Sequence, residues 1–232
     1  MNKISVIFPV YNERETIERV LKEWSKELKK LNVSYEFIVC EDGSTDGTSE
    51  FLMKLEKKHK LKLNQEKFRR GYGRAVIDGI KIAKSQYILS IDSDGQCDPK
   101  NFEKFWKNRK KADILIGWRT ERADAIQRKV FSFMFKSVFK TLFPINIHDP
   151  SAPFVLYKKN TVLPYLKYFK FLKEGFWWGF IGTAVKKRLT IFELPINHRL
   201  RLNGETVVYK TEKIPSIAFR NLFGLFKLKL TK

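Results

Sequence analysis

Two aspartates one residue apart are the chemical centre of the chain. The apolar run Tyr87-Ile-Leu-Ser-Ile91 reads as a buried strand and breaks into Asp92-Ser93-Asp94-Gly95. Alternate side chains of an extended chain share a face, so the two carboxylates point the same way. Carboxylates this close repel one another unless positive charge lies between them. Hard oxygen donors suit Mg²⁺ or Mn²⁺, and Mg²⁺ keeps much of its shell for water and substrate phosphates. Gln96, one alternation further on, can add a carbonyl oxygen or hold a metal-bound water. Taken alone, the same residues also describe a polar turn after a strand.

Other residues carry weaker signals. Asp42 follows an apolar stretch, Tyr35–Cys40, where its carboxylate can accept from a base N–H or a ribose hydroxyl; Asp42–Gly47 equally reads as an Asx turn. Tyr11, two residues after Pro9, can stack on a base ring or be a surface aromatic. Gly71 and Gly73 permit close backbone approach, and Arg70 or Arg74 can face a phosphate. The loop lacks the Lys-Ser/Thr ending of a P-loop. His59, His148 and His198 are scattered without a nucleophilic partner, and His198, beside a basic loop, is the one to watch.

These residues need elements to position them. Ile4–Phe8, Tyr35–Cys40, Leu61–Leu63, Tyr87–Ile91 and Asp113–Gly117 read as strands. Between them lie helices: one opening at Asn12 or Glu13 with Ile17, Val20, Leu21, Trp24, Leu28 and Leu31 on one face, one through Phe51, Leu52 and Leu55, one through Val76, Ile80 and Ala83, and one near Phe102–Arg109. Strand–helix alternation of this length predicts an α/β fold, a mostly parallel sheet with helices on both faces. Ligands of such sheets bind beyond the carboxyl ends of the strands. The loops Pro9–Glu13, Glu41–Thr48 and Asp92–Pro99 all follow strands, so they are expected to meet at one edge.

The 232 residues carry 46 Lys+Arg against 25 Asp+Glu, a formal charge of +21, which attracts polyanions: nucleic acid, phosphorylated substrates or an anionic membrane. No RNA- or DNA-binding signature accompanies the charge, and acids at strand tips would repel a phosphate backbone. Cys40 and Cys97 form no CxxC pair, which points to a reducing compartment, with Cys97 a bystander thiol. Neither a signal peptide nor a membrane span is expected. Beyond residue 118, a helix over Ile126–Phe143 interleaves Phe131, Phe133, Phe135, Phe139 and Phe143 with Lys129, Lys136 and Lys140. The loop His148–Pro153, a strand Phe154–Tyr157, a helix near Thr161–Leu166, the run Phe176-Trp-Trp178 and an edge-like strand Thr190–Pro195 follow. The tail from Pro215 carries Ile217, Phe219, Leu222, Phe223, Leu225 and Phe226. An interfacial helix sets such apolar residues in lipid and lysines at the headgroups; the phenylalanines of the first helix can equally be core.

Val6-Ile-Phe-Pro-Val-Tyr-Asn-Glu13, Asp42-Gly-Ser-Thr-Asp-Gly-Thr48, Gly71-Tyr-Gly-Arg-Ala75 and Asp92-Ser-Asp94 occur in the order and spacing of family 2 glycosyltransferases. Gln96, Asp149-Pro-Ser, and Arg201 before Gly204-Glu-Thr206 resemble the dolichol-phosphate mannose synthase branch. The resemblance covers roughly residues 3–209. It implies the Rossmann-like GT-A fold, extended here by C-terminal amphipathic helices. A single domain over 1–232 would divide into a nucleotide-sugar half (1–118), an acceptor half (119–210) and an amphipathic tail (211–232). Pro9, Tyr11, Glu13 and Asp42, with Gly71 and Arg74, would hold the nucleotide-sugar. Asp92, Asp94 and Gln96 would hold Mg²⁺ or Mn²⁺ on its diphosphate, and Arg119, Arg128 and Arg201 would grip an acceptor phosphate.

Where those synthases carry an acidic residue in the helix after Gly-Phe, this chain reads Phe176-Trp-Trp-Gly-Phe180. The implied reaction is an inverting transfer of a GDP- or UDP-linked sugar to a polyprenyl or dolichyl phosphate, on the cytoplasmic face of a membrane to which the protein binds peripherally. An acceptor phosphate is already ionised near neutrality and needs no base. A sugar-hydroxyl acceptor on a glycolipid or polysaccharide would need one, and Asp149 and Glu174 are the candidates. A non-enzymatic nucleic-acid binder is the reading from another class.

Overall fold

The computed structural model describes residues 3–58, 61–120, 135–169, 171–172, 174–201 and 214–231. Strands β1 (Lys3–Val10), β2 (Ser34–Asp42), β3 (Leu61–Glu66), β4 (Tyr87–Ile91), β5 (Ile114–Arg119), β6 (Phe154–Lys158) and β7 (Ile191–Ile196) join one sheet in the order β3-β2-β1-β4-β6-β5-β7. β1 pairs in parallel with β2 and β4, and β2 with β3. β6 alone runs against its neighbours β4 and β5, while β7 is parallel to β5. β1, β2, β4, β5 and β7 therefore all end at one edge, and the loop leading into β6 lies at that edge too. β1 is buried from Ile4 to Val10, as expected of a central strand covered on both faces.

Helix α1 (Ile17–Lys30) opens later than the sequence suggested. Asn12 takes a left-handed turn (φ 56°), and only then do Ile17, Val20, Leu21, Trp24 and Leu28 turn their apolar face inward. Glu18 in its first turn and Lys29 and Lys30 in its last complement the helix dipole. With α2 (Thr48–Lys58) and α4 (Phe102–Asn108), α1 fills one core, where Trp24, Phe102, Phe105 and Phe154 are fully buried. The other face carries α3 (Tyr72–Ile82), α5 (135–142), α8 (Phe176–Lys186) and α9 (Ile214–Leu230) over Ile7, Ile38 and Ile88; the short α6 (Lys159–Val162) and α7 (Leu166–Phe169) complete the set.

One sequence expectation changes here, and one open alternative is decided. Pro9 does not end β1, which runs on to Val10. The Pro9 carbonyl turns toward the β4 tip and accepts from the Ser93 hydroxyl at 2.8 Å. Its missing N–H would point the same way, past the end of a β1–β4 ladder that stops at Ile7–Ser90, so no ladder bond is lost. The phenylalanines of the first aromatic-basic helix are also not a surface anchor at Phe139 and Phe143, which are 0% and 1% exposed in the core beneath α8; the part of that helix before residue 135 lies outside the described residues.

Candidate active site

The tips of β1, β2 and β4 are laced together by side chains. Asn12 N–H donates to the Ser44 hydroxyl (2.9 Å), Thr45 N–H to Asn12 Oδ1 (2.8 Å) and Glu13 N–H to the Thr48 hydroxyl (3.0 Å). Asp46 accepts from Thr48 N–H at 3.0 Å, serving the first turn of α2 as expected. The Asp42 carboxylate reaches sideways: its two oxygens accept the main-chain N–H groups of Arg70 (2.7 Å) and Gly71 (2.8 Å). Asp42 thus holds the basic loop that precedes α3. Gly43 closes the fit, with φ +69° and a backbone so near that a Cβ would stand 2.5 Å from the Phe68 carbonyl carbon. The Arg69 guanidinium lies 3.9 Å over the Tyr11 ring, which leaves an aromatic–cation pair at the rim of the same loops.

Asp92 and Asp94 follow β4 together. Asp94 is 9% exposed and accepts from Gln96 N–H at 3.0 Å; Asp92 accepts from the Tyr72 hydroxyl at 2.8 Å. Burial, then the neighbouring Asp94 charge, pushes the Asp92 carboxyl up to about 7. Burial also raises Asp94, against the opposing pull of the Gln96 N–H and of Arg201. Glu13, raised by burial, shares the field of Asp94 and Arg201. Cys97 is a buried free thiol that donates to the Pro153 carbonyl at 3.4 Å, in keeping with a bystander.

The arginines expected to grip an anion flank this pair. Arg201 donates to Glu13 Oε1 at 2.6 Å and tempers Asp94. Arg119, whose charge is felt at Asp92, forks onto Asp149 (Nε–Oδ2 2.7 Å, Nη2–Oδ1 3.0 Å) and reaches the Ser151 hydroxyl at 2.9 Å. Gln96 ties the β4 tip to the segment leading to Arg201, since its side-chain amide nitrogen donates to the Arg199 carbonyl (3.2 Å) and its main-chain carbonyl accepts Arg199 N–H (2.9 Å). Arg74 lies on the outer surface of α3 in an ion pair with Asp78 (2.9 Å), and Arg70 pairs with Glu66. His198 bridges to Cys97 at the main chain, and Glu174 accepts from Arg220 at 2.8 Å. Arg128 and Gly204–Thr206 lie outside the described residues.

The residues suit a hard divalent ion. The pair supplies two carboxylates and Gln96 one amide oxygen; among the described residues no third His, Cys, Asp or Glu completes an all-protein cage. Mg²⁺ is usually bound through one or two carboxylates, with phosphate oxygens and water completing its shell, so two aspartates match its habit. Two residues central to this geometry escaped the sequence reading: Tyr72, hidden inside Gly-Tyr-Gly, and Trp177, which bonds to it from the aromatic run.

The chain matches the family model "Glycosyl transferase family 2" over residues 5–162. It is 27% identical to a dolichyl-phosphate beta-glucosyltransferase of Dictyostelium discoideum, over 97% of this chain and 77% of that protein. It is 32% identical to a dolichol-phosphate mannosyltransferase of Pyrococcus furiosus, over 88% of this chain but only 58% of that protein. A dodecaprenyl-phosphate galacturonate synthase of Rhizobium johnstonii is 26% identical, with 69% and 49% covered. Among solved structures, glucosyl-3-phosphoglycerate synthase from Mycobacterium tuberculosis, in complex with Mn²⁺, UDP and phosphoglyceric acid, shares the fold at TM-score 0.76 and 16% identity, over 99% of this chain and 79% of that one. The expected GT-A architecture is therefore present, and this chain belongs to glycosyltransferase family 2 and resembles its dolichol-phosphate mannose synthase branch.

Proposed function

We propose that this chain transfers a sugar from a nucleotide-sugar to a polyprenyl or dolichyl phosphate, with inversion, at a membrane surface. The observation that carries this reading is the acidic pair Asp92/Asp94 set between two arginines, Arg119 and Arg201, at the carboxyl edge of the sheet. The relatives named for dolichyl- and polyprenyl-phosphate transfer support the acceptor. The manganese–UDP complex of the structural neighbour supports the donor class.

Pro9, Tyr11, Glu13, Asp42 and Gly71 shape the donor side. Tyr11 offers a ring to the base, and Asp42 holds the Arg70–Gly71 backbone where phosphates approach. Asp92 and Asp94, with Gln96, would hold Mg²⁺ or Mn²⁺, which would supply positive charge against that of a departing diphosphate. Arg119 and Arg201 orient the acceptor phosphate, one of whose oxygens displaces the nucleoside diphosphate at the anomeric carbon in a single step. No general base is required, because a phosphate monoester is largely ionised near neutrality. The two candidate bases support this choice of acceptor over a sugar hydroxyl: Asp149 is engaged by Arg119, and Glu174 by Arg220.

Helix α9 supports attachment to the membrane surface. Ile217, Leu225 and Leu228 turn inward, whereas Phe219, Phe223, Phe226 and Leu230 are 73%, 66%, 50% and 83% exposed beside Lys227 and Lys229. Among the described residues no helix is long and apolar enough to cross a membrane. The test is a panel of GDP- and UDP-sugars with Mn²⁺ and a short polyprenyl phosphate. Formation of lipid-linked sugar is expected, and transfer only to hydroxyl acceptors would overturn the proposal.

A further inference from the structure

Tyr72 opens α3 and Trp177 stands in the first turn of α8, 105 residues away, yet they meet at the acidic pair. The indole Nε1–H donates to the Tyr72 hydroxyl oxygen at 2.9 Å, and that hydroxyl donates to Asp92 Oδ1 at 2.8 Å. An indole nitrogen can only donate, whereas a phenolic oxygen can do both. The indole therefore occupies the acceptor side of the hydroxyl and leaves its single proton for Asp92. The tryptophan fixes the direction of the first bond, and an ionised Asp92, as a metal ligand must be, can only accept the second.

The contact is built into the packing. Trp177 is 5% exposed. Its neighbour Phe176 lies against the start of α3 so closely that a Cβ on Gly73 would come within 2.8 Å of the ring. The Tyr72 and Phe176 rings also meet edge to face, 6.0 Å between centroids. A glycine at 73 thus lets α8 approach, and the approach delivers the indole to the hydroxyl.

We propose that Tyr72 and Trp177 are positioning residues that hold the Asp92 carboxylate by one oxygen and leave the other for the divalent cation. The inference rests on the reading of Asp92 and Asp94 as metal ligands. Partners that orient a ligating carboxylate commonly change metal affinity by about 10- to 100-fold when removed. Trp177 acts only through the tyrosine, so its loss should matter only while the hydroxyl is present.

The experiment is titration of the full chain with Mn²⁺ alone, read by the electron-paramagnetic-resonance signal of the free ion, alongside metal-free thermal melting. Asp94→Ala is expected to abolish saturable binding. Tyr72→Phe, which removes one oxygen and keeps the ring, should weaken Mn²⁺ binding roughly tenfold. Trp177→Phe should weaken it by a smaller factor, and the double variant should be no worse than Tyr72→Phe alone. Wild-type affinity in Tyr72→Phe, with binding lost in Asp94→Ala, overturns the positioning role and leaves the metal site standing. Wild-type affinity in Asp94→Ala, or no saturable binding to the wild type, overturns the metal site and this inference with it. If Trp177→Phe does not fold, Tyr72→Phe decides alone.

Discussion

Arg119 grips Asp149 with both arms of its guanidinium, Nε to Oδ2 at 2.7 Å and Nη2 to Oδ1 at 3.0 Å, with side chains only 13% and 5% exposed. A planar fork on a carboxylate fixes orientation as well as position. The pair holds Arg119 where its charge is felt at Asp92 and engages both oxygens of the Asp149 carboxylate.

Removing one partner of a buried ion pair leaves a charge without compensation, at a cost of about 3–5 kcal/mol. Asp149→Ala should therefore lower stability in urea by an amount of that order. Asp149→Asn, which keeps the shape and one acceptor oxygen, should lose less stability and raise the acceptor KM more than it lowers kcat. A base would behave oppositely, with intact stability and a collapse of kcat at unchanged KM.

Asp94→Ala should lower transfer by about 100-fold or more, the usual scale for a lost transition-state electrostatic contact. Its metal-free melting temperature near neutral pH should equal or exceed that of the wild type, because the substitution removes one of two neighbouring carboxylates that burial already disfavours as charges. Activity near the wild-type level in the presence of Mn²⁺ would refute the assignment.

Proton linkage at Asp92 gives a pH signature. An unfolded Asp titrates near about 3.9, whereas the folded carboxyl is pushed up to about 7 by burial and by Asp94. Between those values the folded state holds a proton that the unfolded chain has released. This group's contribution to metal-free stability therefore falls as pH rises through that window and levels off above it. Mn²⁺ competes for the same oxygens, so its affinity should climb with pH through the window. Calorimetric titrations at several pH values check the sign.

The outer face of α9 can be tested apart from the fold. Phe219, Phe223 and Phe226 are at least half exposed, so Phe223→Glu should change stability by no more than about 0.5 kcal/mol. Its co-sedimentation with vesicles of anionic phospholipid should nonetheless drop several-fold. Leu225→Glu, at a position fully buried against the body of the protein, should unfold the helix contact and lower the melting temperature.

Gly43→Ala tests the loop that Asp42 holds. Position 43 combines a left-handed backbone with main-chain atoms 2.5 and 2.6 Å from where a Cβ would sit. Main chain cannot step aside as a flexible side chain can, so the Phe68–Gly71 loop must shift. A raised KM for the nucleotide-sugar and a loss of stability beyond about 1 kcal/mol are expected.

Several features were decided by the sequence acting locally. Helix α1 follows from Ile17, Val20, Leu21, Trp24 and Leu28 at spacings of three and four, and the strand–helix alternation set a parallel core with its loops at one edge. Asp92 and Asp94 were recognisable because an apolar strand, ending at Ile91, ran directly into two acids one residue apart. Other features belong to the tertiary structure alone. The periodicity of Phe139 and Phe143 resembles that of Phe219 and Phe223, yet the first pair is core and the second lies at the surface. A pattern says which residues share a face and cannot say what covers that face. The antiparallel β6, the hold of Asp42 on Gly71 and the meeting of Trp177 with Tyr72 across 105 residues arise the same way. Each depends on which distant surfaces pack together, and the sum of those packing energies is written in no single stretch of the chain.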